Sequence, residues 1–144
     1  MNPYLNRNKT YQKAAVTTLD QGTLIMMLYD GAIKFMNIAL VKIEKNELEG
    51  AHNAITRSKE IIAELMGSLK TEGTGDVAKN LKSMYSYMYD RLIDANIRKD
   101  VEIINEIIAL MDELRDGWKV VLKERKQTAQ ANSRVQAKKI EING

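Results

Sequence analysis

Apolar residues recur at helical spacing along most of this chain, most densely from Thr18 to Glu44, TLDQGTLIMMLYDGAIKFMNIALVKIE. At about 100° per residue, Leu24, Ile25, Leu28, Ala32, Phe35, Met36, Ala39 and Ile43 share one broad face. A core-facing helix needs an apolar stripe of only about 100° or slightly more. Here the polar strip is narrow (Thr23, Asp30, Lys34, Asn37, Glu44), and a second apolar line of Met26, Tyr29, Ile33 and Leu40 runs beside the first. The surplus implies either a helix with neighbours on both sides or a docking surface for another chain. Thr18 and Gln21 have the spacing of a capping box.

Three further stripes follow. A second helix is expected over about Glu47–Lys70, with Ala51, Ala54, Ile55, Ser58, Ile61, Ile62, Leu65 and Leu69 inward. A third, about Asp76–Asn96, turns Leu81, Met84, Tyr85, Met88, Leu92 and Ala95 inward and leaves Tyr87 at the rim, because neighbours two apart point about 200° apart. A fourth, about Val101–Lys126, buries Ile104, Ile107, Ile108, Met111, Leu114, Trp118 and Leu122, with Ile103, Leu110 and Val121 as a flanking line. Lys45-Asn46, Thr71–Gly75 and Asn96–Lys99 break the helices, and Asp100 is placed to cap the fourth. Matched lengths and short turns predict an all-α, antiparallel up-down four-helix bundle over residues 18–126. Residues 1–17, which hold the only proline, read as a short N-terminal arm or helix, and 127–144 as a flexible basic tail.

Charge sharpens this division. The net charge of +3 resides in the tail: Arg125–Gly144 holds five basic residues and one acid. Nucleic-acid binders carry their positive stripe on the folded surface, so no nucleic-acid partner is expected. A nucleic-acid or anionic-surface role for the tail remains the outlying alternative. The chain has no cysteine, which excludes disulfides and thiolate chemistry. The opening MNPYLNRNKTYQ lacks an apolar leader core, and no apolar run suggests membrane insertion, so a cytoplasmic location is expected.

Little catalytic chemistry is legible. Glu49 and His52 form one Glu-x-x-His pair, but a carboxylate-bridged metal site needs two, and His52 is the only histidine. No glycine-rich loop cradles phosphate. The reading is a non-enzymatic protein without a cofactor or metal. Gly31 and Gly117 inside helices cost about 1 kcal/mol each relative to Ala and read as close helix contacts. Eight methionines suggest adaptable packing, with Met36, Met88 and Met111 as core fillers and Met26 and Met27 as interface candidates.

Specific runs carry a resemblance: Tyr11-Gln12, Val16-Thr17-Thr18, Leu24-Ile25-Met26-Met27-Leu28-Tyr29-Asp30-Gly31-Ala32-Ile33, Ile61-Ile62-Ala63-Glu64-Leu65, Tyr87-Met88-Tyr89-Asp90-Arg91-Leu92 and Leu114-Arg115-Asp116-Gly117-Trp118. Over about residues 3–122 the chain resembles the FliS family of flagellin export chaperones. The resemblance implies a cytoplasmic bundle that binds the disordered C-terminal segment of flagellin and prevents premature polymerisation. It also implies delivery to the membrane export-gate protein of the flagellar type III system. It further implies that Tyr11, Gln12, Val16 and Thr17 cover part of the client groove, with Tyr11 also meeting the export gate. Together with the surplus apolar line, the expected partner-binding residues are Tyr11, Gln12, Val16, Thr17, Met26, Tyr29, Ile33, Leu40, Tyr87 and Tyr89. A self-associating structural bundle without a client is the alternative.

Overall fold

The apolar stripes fold as four helices: α1 (Gln21–Glu44), α2 (Leu48–Glu72), α3 (Asp76–Arg98) and α4 (Val101–Asn143). The computed structural model describes residues 21–72 and 75–143. The N-terminal arm and Thr18 lie outside the described residues. Asn46 makes the first turn in the left-handed region (φ 57°), with Glu47 N–H donating to Lys42 O at 2.8 Å. Lys99 closes α3 in the same conformation, and Asp100 Oδ1 then accepts from the N–H groups of Glu102 (3.0 Å) and Ile103 (3.3 Å). Asp76 occupies the first turn of α3, where its charge suits the helix dipole, while Gly75 is the N-cap.

Each helix packs on two others: α1 on α2 and α4, and α3 on α2 and α4. The helices α1 and α3 therefore stand at opposite corners of a four-helix bundle. The α1–α2 seam is the most extensive and the α3–α4 seam the thinnest. In the close seam, Gly31 lets Ile61 approach to 3.2 Å from where a Cβ would stand, and the buried Ser58 hydroxyl donates to Ala32 O at 2.8 Å. The expected close contact at Gly31 is present.

The core line of α1 is Ile25, Tyr29, Ala32, Met36 and Ala39, all buried. It is rotated by roughly 40° from the face read in the sequence. Leu24, Leu28 and Phe35 are only half-buried on one flank; Met26, Ile33 and Leu40 are half-buried on the other. The rotation arises because α1 has a neighbour on each side, so the core lies between its two apolar lines. Tyr29 is accordingly a core residue, 0% exposed, and presents no surface for a partner in this arrangement. By length and composition α1 is also apolar enough to cross a membrane, which the sequence reading did not anticipate. Six of its residues are buried in the bundle.

A polar layer crosses this core. The hydroxyls of Tyr29 on α1 and Tyr85 on α3 share a hydrogen bond, and Trp118 Nε1 on α4 donates to Tyr29 Oη at 3.1 Å. Burial raises the pKa of both phenols, and the neighbouring Tyr85 raises that of Tyr29 further.

The fourth helix does not stop near Lys126; it continues to Asn143, 43 residues in all, or about 64 Å. No glycine or proline interrupts the chain between Trp118 and Asn143, and Ala, Gln, Lys and Arg there are good helix formers. Periodicity gave no signal because residues 123–140 are all exposed, and this stretch buries no apolar side among the described residues.

Tyr29→Phe is expected to cost about 1–3 kcal/mol by urea unfolding, since it removes the acceptor of Trp118 and the partner of Tyr85. Tyr85→Phe should cost less, because Tyr29 keeps its bond from Trp118. Both phenols titrate above their unfolded value, so the native state holds more protons than the unfolded state above pH about 10. Stability should be independent of these groups below that pH and fall above it, by up to about 1.4 kcal/mol per pH unit per tyrosine. Urea melts at neutral and alkaline pH, compared with the double Phe variant, measure that slope.

Candidate functional site

The thin α3–α4 seam opens into an apolar groove of about 280 Å³, lined by Val77, Leu81, Glu113, Leu114, Gly117, Trp118, Val121 and Arg125. Helical spacing explains the set. Leu114, Trp118, Val121 and Arg125 recur every three or four residues of α4, and Val77 and Leu81 are one turn apart at the start of α3. Val77 is 74% exposed and Val121 40%. Trp118 is the shared element: its N–H reaches the buried Tyr29 hydroxyl, and the Arg125 guanidinium lies 5.8 Å from its ring centroid. Glu113 and Arg125 put opposite charges toward the two ends of an otherwise apolar trough.

Gly117 departs from its reading as a helix contact. A Cβ there would meet nothing within 4 Å, so the glycine keeps the groove open instead of letting helices touch. A different glycine makes the α1–α4 contact: a Cβ on Gly22 would come within 2.6 Å of Leu122 Cδ2.

The partner residues expected from the sequence do not form one surface. Tyr11, Gln12, Val16 and Thr17 lie outside the described residues. Met26, Ile33 and Leu40 are half-buried on the side of α1 that carries Gly22 and Asp30, which meet Leu122 and Arg115 of α4. Ile33 and Leu40 pack on the core. Tyr87 is 46% exposed and donates to Glu106 Oε1 at 2.5 Å; this bond lowers the Glu106 pKa and raises that of Tyr87. Tyr89 is half-buried, with Lys59 Nζ of α2 5.5 Å from its ring centroid. Tyr87 thus faces α4 and Tyr89 faces α2, on different sides of α3. The sequence had marked Leu81, Leu114, Trp118 and Val121 as inner or flanking positions, and missed that they converge.

His52 is exposed, at hydrogen-bond distance (3.0 Å) from Asn96 Nδ2. Among the described residues, no group of three or more His, Cys, Asp or Glu side chains is placed to hold a metal ion.

Among the described residues the bundle has an apolar trough at its thinnest seam. Residues 4–125 match the family model described as "Flagellar protein FliS". The chain is 32% identical over 126 residues to the flagellar secretion chaperone FliS of Bacillus subtilis (strain 168), covering 88% of this chain and 90% of that one. It is 34% identical over 108 residues to the Escherichia coli (strain K12) protein of the same description, covering 74% and 79%. With that of Salmonella typhimurium the identity is 32% over 110 residues, covering 76% and 82%. The chain belongs to the FliS family of flagellar secretion chaperones. Two of the motif runs quoted from the sequence meet in space, where Asp30 pairs with Arg115 Nε at 2.5 Å and Tyr29 with Trp118; a third, through Tyr87 and Arg91, meets Glu106 of α4.

Gly117→Ala is expected to stabilise the protein by about 1 kcal/mol, because the helix gains propensity and the new methyl group meets open space. A loss of stability in thermal or urea unfolding contradicts the open-groove reading.

Proposed function

We propose that this protein is a cytoplasmic chaperone that holds the disordered C-terminal segment of flagellin in the α3–α4 groove. It thereby prevents premature polymerisation and presents the client to the membrane export-gate protein of the flagellar type III system. The observation that carries the proposal is the apolar trough of Val77, Leu81, Leu114, Trp118 and Val121 in a member of the secretion-chaperone family. A segment that orders on binding loses conformational entropy, and apolar burial at roughly 25 cal/mol per Å² offsets it. Binding and release then follow competition and mass action, without catalysis or a cofactor. In this proposal Tyr11, Gln12, Val16 and Thr17 cover the trough until the client displaces them, and Tyr11 contacts the export gate. Met26, Ile33 and Leu40 extend the client surface only if the α1–α4 seam loosens.

Titration calorimetry with a synthetic flagellin C-terminal peptide should give a 1:1 complex and a shifted elution on a sizing column. No heat and an unchanged elution position end the proposal. Gly117→Leu fills the trough from its floor and should weaken the peptide by about 10–100-fold with helicity retained. Self-association is the second reading, since exposed Val77 and Val121 would equally be covered by another copy. Sedimentation as a monomer at high micromolar concentration excludes that as the main role.

A further inference from the structure

We infer that the client segment held in the α3–α4 trough carries lysine or arginine side chains along one flank, set against Glu113 and Glu124; this rests on the trough being the client site. The outer edge of the seam shows why. Tyr87 and Arg91 of α3 reach across it to Glu106 of α4. At about 100° per residue, Glu113 points about 20° from the direction of Glu106. Glu124, five full turns beyond Glu106, points the same way as Glu106. Asp76, eleven residues before Tyr87, points about 20° from the direction of Tyr87. One line on each helix therefore faces this edge. Where the seam is closed, the edge is bridged, with a phenol and a guanidinium against one carboxylate. Where it opens into the trough, the same two lines bring Asp76, Glu113 and Glu124 and no base. All three acids are exposed, and none has a side-chain hydrogen bond or ion pair among the described residues. Lys79, three residues after Asp76, forms no ion pair with it. Arg125 lies against the Trp118 ring, about 100° round α4 from Glu124. Lys119, Lys123 and Lys126 also point about 100° or more away from Glu124.

The rim selects the occupant. Glu113 and Glu124 stand about 16 Å apart along α4. The bases set against them are then about three turns apart on a helical segment, or about five residues apart on an extended one. Between them Leu81, Leu114 and Trp118 take the segment's apolar face. Exposed charge pairs add little affinity each, but they set register and reject acidic segments. A nucleic acid or an anionic headgroup meets like charges at this rim. A second copy could offer the basic part of its α4, but the exposed Val135 and Ile140 there point about 140° apart, so no one face of it fills an apolar trough. A member of a secretion-chaperone family has a client polypeptide, and that is the occupant the rim and floor fit together.

The test uses the full chain and a synthetic flagellin C-terminal peptide in titration calorimetry at low and high salt. Each exposed charge pair is worth up to about fivefold, so Glu113→Gln with Glu124→Gln is expected to weaken the peptide about 5–25-fold at low salt. Either substitution alone should give part of that loss. The wild-type chain should lose a similar factor at high salt, and the double variant should change little. Circular dichroism checks that each variant is helical. The control pair Glu60→Gln with Glu64→Gln, exposed on α2 at the corner opposite α4, should bind as the wild type does. Unchanged or tighter binding by the Glu113/Glu124 variant overturns the inference and leaves the trough reading standing, as does equal loss in the control pair. Absence of peptide binding by the wild type ends the trough reading and the inference with it. Wild-type dimers in sedimentation that the Glu113/Glu124 substitutions dissociate assign the rim to a second copy and also overturn it.

Discussion

Two phenol groups and an indole N–H with little water to bond organise this bundle. Burying a polar hydroxyl is unfavourable unless it finds a partner, and here Tyr29 and Tyr85 find each other while Trp118 completes the set. The three residues come from α1, α3 and α4, so the bond between opposite corners of the bundle fixes one register among them. Rotating any of these helices by one residue swings its side chain through about 100° and leaves buried polar atoms unpaired. Because Trp118 also floors the groove, the core layer decides where the groove lies.

Uneven seams complete the design. Small residues let α1 and α2 approach closely: Gly31 faces Ile61, and Ser58 reaches the backbone at Ala32. Between α3 and α4 the large side chains Leu81, Leu114 and Trp118 line a gap, and Gly117 adds nothing to close it. A bundle closed equally on all four sides would be the more stable monomer, by the burial it would gain. Among the described residues that side leaves apolar surface uncovered, and under the proposed function an incoming chain would complete the core there.

The charge along α4 changes character near Trp118. Glu102, Glu106, Asp112, Glu113 and Asp116 precede Trp118, and Lys119, Lys123, Lys126, Arg134, Lys138 and Lys139 follow it. Of these only Glu102 stands in a terminal turn, where its charge suits the helix dipole; no base occupies the last turn, so the helix outlasts its three neighbours on the propensity of its residues. The result is a rod whose first part is core and whose last part has water on every side.

Four helices, their turns and most of their inward faces were legible in the chain, because periodicity, Asn46 and Asp100 act within one helix or its immediate end. The family was legible too, through motif runs, two of which turn out to meet. Tyr29 was misplaced on a flank and Gly117 in a contact, and the groove itself went unseen. The pattern of a single helix specifies which residues are apolar and how they are spaced around its axis. Which apolar side is covered depends on how closely each neighbour approaches, and that distance is set jointly by side chains far apart in sequence, such as Gly31 with Ile61 and Tyr29 with Tyr85 and Trp118. Tertiary packing alone therefore decided that the second apolar line of α1 would close inward and that the open side would fall between α3 and α4.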